Sequence, residues 1–283
     1  MRRKKSPLRR AVRAVFLIGF AIAIIHIAHA LTLDRIIQYL EVDFHSPNIS
    51  AGLDGYRIAL ITDTHDISEE RLGAAVRELN ERGIDLLLLG GDYASRNPAD
   101  RSYTTIRTMG VLSGVRATDG SFGVAGNHDS RTDLYTYMEA NGITPLSNSG
   151  LRLREGFFLA GTQDWLTGHA DIAAATAGAL PGDFVLLVSH NPDISMRQDT
   201  TGVDLILSGH THGGQITLFG IWAPALERRF GITRYGQRFM SGWAYSHDGT
   251  PVFVSNGTGE YLPRMFARPQ VVIVTLRHES YIQ

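Results

Sequence analysis

Five short blocks of this chain carry side chains suited to chemistry: Asp63-Thr64-His65, Gly91-Asp92, Gly126-Asn127-His128-Asp129, His190, and Gly209-His210-Thr211-His212. Carboxylate and amide oxygens suit hard cations such as Mn, and imidazole suits borderline ions such as Zn, Fe and Ni. A mixed set of this kind fits two first-row divalent ions better than one calcium. Two such ions roughly 3.5–4 Å apart can hold both the attacking and the leaving oxygen of a phosphate ester, and coordination brings the pKa of bound water to about 7. The chemistry to expect is attack by a metal-bound hydroxide on phosphorus. Close cations repel, so a carboxylate must lie between them, and Asp92, after Gly90-Gly91, is the candidate bridge.

Taken singly, each block has an ordinary reading. Asp-x-His can be a surface turn, Gly-Asp a strand exit, and His190 the start of a turn at Asn191-Pro192. Asn127 or Asp129 can cap a following helix. Together they are harder to dismiss. Five of the eleven histidines fall inside the blocks, mostly after apolar runs. If the flanking chain is extended, Asp63 and His65 share a face, as do His210 and His212, with Thr64 and Thr211 turned away.

The elements that must position these residues are legible as pattern. Arg57–Thr62 reads as a short strand, and Leu86–Leu89 as a strand buried on both faces. Glu69–Arg82 spaces Leu72, Val76 and Leu79 as a helix. Helices are expected over Tyr103–Leu112, Leu134–Ala140 and Ile172–Ala179. Strands are expected over Ser121–Ala125, Phe184–Ser189, Asp204–Ser208, Pro251–Ser255 and Val271–Leu276. A hairpin turns at Arg154–Gly156 between Leu151–Leu153 and Phe157–Ala160. Alternating strands and helices define an α/β class.

The amino terminus is separate in character. Arg2, Arg3, Lys4, Lys5, Arg9, Arg10 and Arg13 precede an uncharged stretch from Ala14 to Leu33. About 20 apolar residues cross a bilayer core, so this stretch is long enough. The positive-inside tendency then puts the rest of the chain on the extracytoplasmic side of the cell membrane. Ala28-His29-Ala30 also fits a signal-peptidase site, which would release an exported protein. An interfacial helix is a third reading. The expected organisation is a basic, hydrophobic segment over 1–40, a connector over 41–55 and a catalytic domain over 56–283.

Composition narrows the rest. The 283 residues are 43% hydrophobic with a formal net charge of −1, which gives no reason to expect nucleic acid as partner. There is no cysteine, so disulfides, thiolate ligands and thiol nucleophiles are excluded.

In their order the blocks resemble the calcineurin-like metallophosphoesterase superfamily, whose pattern is Asp-x-His, Gly-Asp, Gly-Asn-His-Asp/Glu, His and Gly-His-x-His. The resemblance runs from about Tyr56 to Leu276 and takes in Gly213-Gly214-Gln215 and Ser255-Asn256-Gly257-Thr258-Gly259. With the hydrophobic start, these flanks look like a bacterial membrane-associated or exported, phosphodiesterase-like branch. That branch includes enzymes cleaving the pyrophosphate of UDP-2,3-diacylglucosamine. The resemblance implies a four-layer sandwich, two mixed β-sheets flanked by helices, behind an N-terminal hydrophobic helix. It also implies two divalent ions (Mn, Fe or Zn), one on Asp63, His65, Asp92 and His212, the other on Asp92, Asn127, His190 and His210. His128 is then the catalytic, non-ligand histidine, facing the phosphate or the leaving oxygen. Asp66 departs from the usual small or apolar residue and is expected to be exposed.

The implied substrate is a phosphodiester or pyrophosphate, lipid-linked or nucleotide-linked. Residues 216–239, with Trp222, Leu226, Arg228, Arg229, Phe230 and Arg234, read either as a wall for such a group or as a loop packed over the sheet. Arg264 either orients the loop of Asn256 or lies on the surface. A competing class is a catalytically silent, metal-binding membrane protein serving as sensor or scaffold, against which the intact His128 counts. A two-metal hydrolase of amides or lactams would want a His-x-His-x-Asp-His cluster, which is absent.

Overall fold

Apolar runs become strands here, and the polar residues that follow them become the loops of one site. The computed structural model describes residues 7–259 and 263–279. Arg2, Arg3, Lys4 and Lys5 of the basic cluster lie outside the described residues. In chain order the first half contains α1 (Pro7–Leu31), β1 (Gln38–Ser46), β2 (Arg57–Ile61), α2 (Glu69–Arg82), β3 (Leu86–Leu89), α3 (Arg101–Leu112), β4 (Ser121–Gly123), α4 (Arg131–Ala140) and β5 (Ile143–Pro145). The second half contains β6 (Ser149–Arg154), β7 (Phe157–Gly161), α5 (Ile172–Thr176), β8 (Phe184–Val188), β9 (Leu205–Ser208), β10 (Gly242–Tyr245), β11 (Pro251–Val254) and β12 (Gln270–His278).

The strands form two six-stranded mixed sheets, ordered β1-β12-β2-β3-β4-β5 and β10-β11-β9-β8-β7-β6. In the first, β2 through β5 run parallel and β12 pairs antiparallel with β2. In the second, β7, β8, β9 and β11 run parallel, with β6 and β10 antiparallel at the edges. One core lies between the sheets, where Leu60, Leu88, Val124 and Val274 meet Leu159, Leu186, Leu207 and Phe253. A second lies between the first sheet and α2–α4, built on Ile61, Leu72, Leu79, Leu89 and Met109. A third covers the outer face of the other sheet with Ile172, Ala175, Ile194 and Phe239. This is the expected four-layer arrangement.

Local chemistry sets the boundaries. Ser68 caps α2 by accepting the Arg71 N–H, Glu69 and Glu70 fill its first turn, and Gly83 at φ 66° ends it. The expected helix over Ile172–Ala179 stops at Thr176. Pro181 disfavours helical geometry just before it, and Gly178 adds a further helix-weakening residue. The short strands β5 and β10 were not expected; at three and four residues they carry too little pattern to stand out.

Helix α1 has no buried residue. Its last turns nevertheless touch the globular part. The His26 ring lies 4.5 Å from that of Phe219, and His29 stacks on Phe266 at 3.9 Å. His29 Nδ1 also pairs with Asp34 at 2.7 Å, while the Asp34 carboxylate accepts the N–H groups of Phe266 and Ala267. The two histidines of the hydrophobic stretch thus hold the helix to the domain.

Candidate metal centre

Six loops at the carboxyl ends of parallel strands converge. Asp63 and His65 follow β2, Asp92 follows β3, Asn127 and His128 follow β4, His190 follows β8, His210 and His212 follow β9, and Asn256 follows β11. Asp63, His65 and His212 form one group of donor atoms within 4.8 Å of one another, and Asp92, His190 and His210 form a second. Asp92 Oδ2 reaches both groups, lying 3.5 Å from His65 Nε2 and 3.3 Å from His190 Nε2. Asp63 Oδ1 is 3.3 Å from His212 Nε2, and Asn127 Oδ1 is 3.2 Å from His190 Nε2. The structure therefore gathers Asp63, His65, Asp92, Asn127, His190, His210 and His212 into one cluster. His128 borders the same cavity, its backbone N–H donating to Asp92 Oδ1 at 2.8 Å.

The means of convergence differs from that expected. Asp63 and His65 do not lie on an extended chain; their φ values are 50° and 39°, and those of His210 and His212 are 71° and 53°. Asp92 is likewise at 57°. Positive φ is uncommon outside glycine and costs on the order of 1–3 kcal/mol per residue where it is held. Five donors of one cluster in this conformation mark a turn bent inward rather than a strand continued outward. Thr64 is buried, and Thr211 borders the cavity while its hydroxyl donates to Met240 O.

Outer contacts fix three of the imidazoles. His65 Nδ1 donates to Ala94 O, His190 Nδ1 to Gly90 O, and His210 Nε2 to Ile232 O. That assigns the lone pair of each ring to the nitrogen facing inward, the arrangement of a metal-ligating histidine. Two pairs of inward nitrogens then face each other at 3.3 Å, His65 with His212 and His190 with His210. In the His190–His210 pair both rings donate outward, and the neighbouring lone pairs repel unless a cation or proton lies between them. The donor set and its tautomers fit divalent cations.

Burial and neighbouring charge oppose each other across the cluster. Burial pulls His65 down to about 4 despite Asp92, and pulls His210 down as well, so both stay neutral Lewis bases. Burial would raise the carboxyls of Asp63 and Asp92, but the facing imidazoles outweigh it and hold both below the usual range. At His190 burial is outweighed by Asp92, and its pKa rises. His128 is half-buried and shifted down by desolvation.

Asp129, Gly126 and Tyr93 escaped the motif reading in the role they play. Asp129 is no helix cap; its carboxylate accepts the N–H groups of Asp92, Tyr93, Ala94 and Gly126 at 2.8–3.0 Å, locking two ligand loops together. Burial and the Asp92 charge push its carboxyl up to about 7 against those four donors. Gly126 lies so close to Asp92 that a Cβ would overlap Oδ1. Tyr93, fully buried, accepts the Gly91 N–H and donates to Val124 O. Arg264 is buried and donates to the carbonyls of Gly259, His212, Asn256 and Ala267, so it orients the Asn256 loop. Asp66 is exposed, as expected.

Over the cluster lies a cavity of ≈ 330 Å³ whose outer wall includes Leu166, Ala225, Phe230 and Ile232. Residues 216–239 divide between the two readings: Ala223, Leu226 and Phe239 pack inward, while Ala225, Phe230 and Ile232 line the cavity. Arg228, Arg229 and Arg234 are not among its lining residues. The arginine that is, Arg96, lies four positions past Asp92 and belongs to no motif.

Residues 56–214 match the family described as calcineurin-like phosphoesterase, and the chain belongs to that family. It is a metallophosphoesterase. It is 29% identical over 257 residues to the uncharacterized metallophosphoesterase YkuE of Bacillus subtilis, covering 86% of each chain. It is 30% identical to the phosphodiesterase YaeI of Escherichia coli over 69% of this chain and 72% of that one. A transmembrane protein with metallophosphoesterase domain from Danio rerio is 25% identical over 85% of this chain, which spans 57% of that protein. Three further bacterial relatives are spanned over 58–62% of their length. With the apolar helix α1, these relatives support membrane association.

Proposed function

We propose that the chain hydrolyses a phosphodiester or pyrophosphate bond in an amphiphilic substrate at a pair of divalent-cation sites that would share Asp92. The observation that carries the reading is the pair of donor groups meeting at Asp92 Oδ2, with inward imidazole nitrogens 3.3 Å apart. Asp63, His65, Asp92 and His212 would hold one cation, and Asp92, Asn127, His190 and His210 the other. When bound, such a pair supplies an activated water and neutralises charge on the phosphate oxygens. The remaining work falls to the chain. The His128 backbone N–H to Asp92 fixes that histidine at the cavity, where its side chain would stabilise the phosphate oxygens or protonate the departing oxygen. Arg96 at the rim suits a phosphate oxygen through its planar donors. Leu166, Phe230 and Ile232 offer an apolar surface for the second ester group, which a monoester lacks; the phosphodiesterase name of the Escherichia coli relative agrees.

For α1 the reading is a retained anchor. Cleavage after Ala30 would remove His26 and His29, whose rings pack on Phe219 and Phe266. The basic residues ahead of the helix favour an extracytoplasmic domain.

The test uses the full chain in detergent, with metal content measured alongside hydrolysis of an aryl phosphodiester and the matching monoester. The diester should be favoured. His128→Ala should keep its metal and lose about 10²–10⁴ in turnover. A metal-replete H128A protein at full rate would overturn the role given to His128, and a metal-free active protein would overturn the centre.

A further inference from the structure

Next to the end of α1 the surface is apolar where a soluble domain would be polar. Ile216, Leu218, Phe219, Ile221 and Trp222 are exposed by 42, 48, 39, 77 and 41%. Five such side chains among seven consecutive residues form a patch that demands a partner. The patch is a rigid turn. Leu218 and Trp222 pair across it, and the central residues Phe219 and Gly220 have φ values of 53° and 74°.

Its N–H groups find partners within the protein. The N–H groups of Ile216, Thr217, Leu218 and Ile221 donate to the carbonyls of Gly214, Met265, Trp222 and Leu218. Gly220 N–H donates to Thr217 Oγ1, and Phe219 N–H to His26 Nε2 of α1 at 3.4 Å. The Trp222 indole donates to Glu227. Every N–H from Ile216 through Ile221 is thus satisfied within the protein. Pairing these donors lowers the cost of entering hydrocarbon, where each unpaired group costs several kcal/mol.

The register of α1 fixes the depth. Arg13 is the last charge before the apolar stretch, so a span of about 20 residues runs from Ala14 to near Leu33. At 1.5 Å per residue, His26 lies roughly 10 Å inside the outer end of that span. Phe219 is bonded to His26, so the turn lies level with it.

We infer that residues 216–222 are seated in the bilayer beside α1, which brings the cavity rim at Gly214, Gln215 and Ala225 to the membrane surface. The occupant of the patch is lipid. The seating rests on the retained anchor proposed above and on the contacts of α1 with the turn; its use, presenting a membrane-borne phosphodiester to the cluster, rests on the proposed hydrolysis.

The absence of cysteine makes the test direct. Full-length Ile221→Cys and, on α3, Tyr103→Cys are each labelled with an environment-sensitive fluorophore and reconstituted in phosphatidylcholine vesicles containing phosphatidylglycerol. The label at 221 should be quenched several-fold more by nitroxide lipid than by aqueous iodide, and the label at 103 the reverse. Quenching at 221 by iodide overturns the seating. Exclusion of both quenchers at 221 overturns it too, pointing to a second copy of the chain over the patch. Ile221→Asp should hydrolyse a soluble aryl diester at the parent rate but cleave a diacyl phosphodiester in the same vesicles several-fold more slowly. Equal rates on the lipid would overturn the use of the seating. A parent chain inert toward the soluble diester would sink the catalytic reading, while the quenching result would stand.

Discussion

Replacing Arg264 with methionine keeps the side chain's length and removes every donor it offers. In the parent, Nε donates to Gly259 O at 3.1 Å, and Nη1 donates to His212 O, Asn256 O and Ala267 O at 3.2, 2.9 and 3.0 Å. The residue is 4% exposed, so water does not replace the lost donors. A buried acceptor left without its partner costs about 1–3 kcal/mol. Part is returned, because burial already weakens the cation and draws its pKa down to about 10. The net loss should be about 3–5 kcal/mol, the scale for uncoupling a buried charge network. At about 2–4 °C per kcal/mol for a domain of this size, the melting temperature falls by roughly 10 °C. The ligand His212 and the Asn256 loop lose their common brace, so metal content should fall as well. Arg264→Lys keeps the charge without the fork and should lie between. Thermal unfolding of the detergent-solubilised chain with elemental analysis measures both effects. An R264M protein with the parent's melting temperature and metal content would refute this reasoning.

Gly126→Ala puts a Cβ onto Asp92 Oδ1, and metal affinity measured by competition with a chelator should weaken about 10- to 100-fold with secondary structure intact. Tyr93→Phe removes the acceptor of the Gly91 N–H and the donor to Val124 O, which urea unfolding should register as about 1–3 kcal/mol. At the surface, Tyr56 and Arg154 both donate to Asp119. Slight burial would raise that carboxyl, but Arg154 and Tyr56 outweigh it and hold the pKa down. A depressed carboxyl stabilises the fold above its unfolded pKa of about 3.9, and the contribution is lost as pH falls through the folded value. Asp119→Asn should therefore cost about 0–1 kcal/mol near neutrality, where solvent screens the pair, and nothing in strong acid. Urea midpoints at both pH values check it.

The residues that gather into the cluster were legible because their types are rare and ordered, and β3 and α2 because Leu86–Leu89 and the cap at Ser68 carry strong local pattern. The geometry between them was not. Period-two alternation accounts for a strand, yet Asp63, His65, His210 and His212 lie just beyond strand ends, where tertiary packing imposes left-handed backbone that these residue types do not prefer. Asp129 was visible as a letter in a motif, but its role depends on four N–H groups from two loops 36 residues apart, which no local window contains. Arg96 gave no signal at all, since one arginine in a loop resembles any other. The patch at 216–222 was read only as loop or wall, because its meaning depends on His26, far away in sequence.

The position of β12 orders events in time. This strand is inserted between β1 and β2, pairing with both, and its side chains enter both the inter-sheet core and the helical layer. During synthesis, β2 therefore waits with a bare edge until residues 270–278 have emerged, although every ligand is already on hand by residue 212. The loop bearing Asp63 hangs from that waiting strand. Completion of the sheet that carries the Asp63 loop thus depends on pairing between strands more than 200 residues apart, a long-range contact of the kind that slows folding.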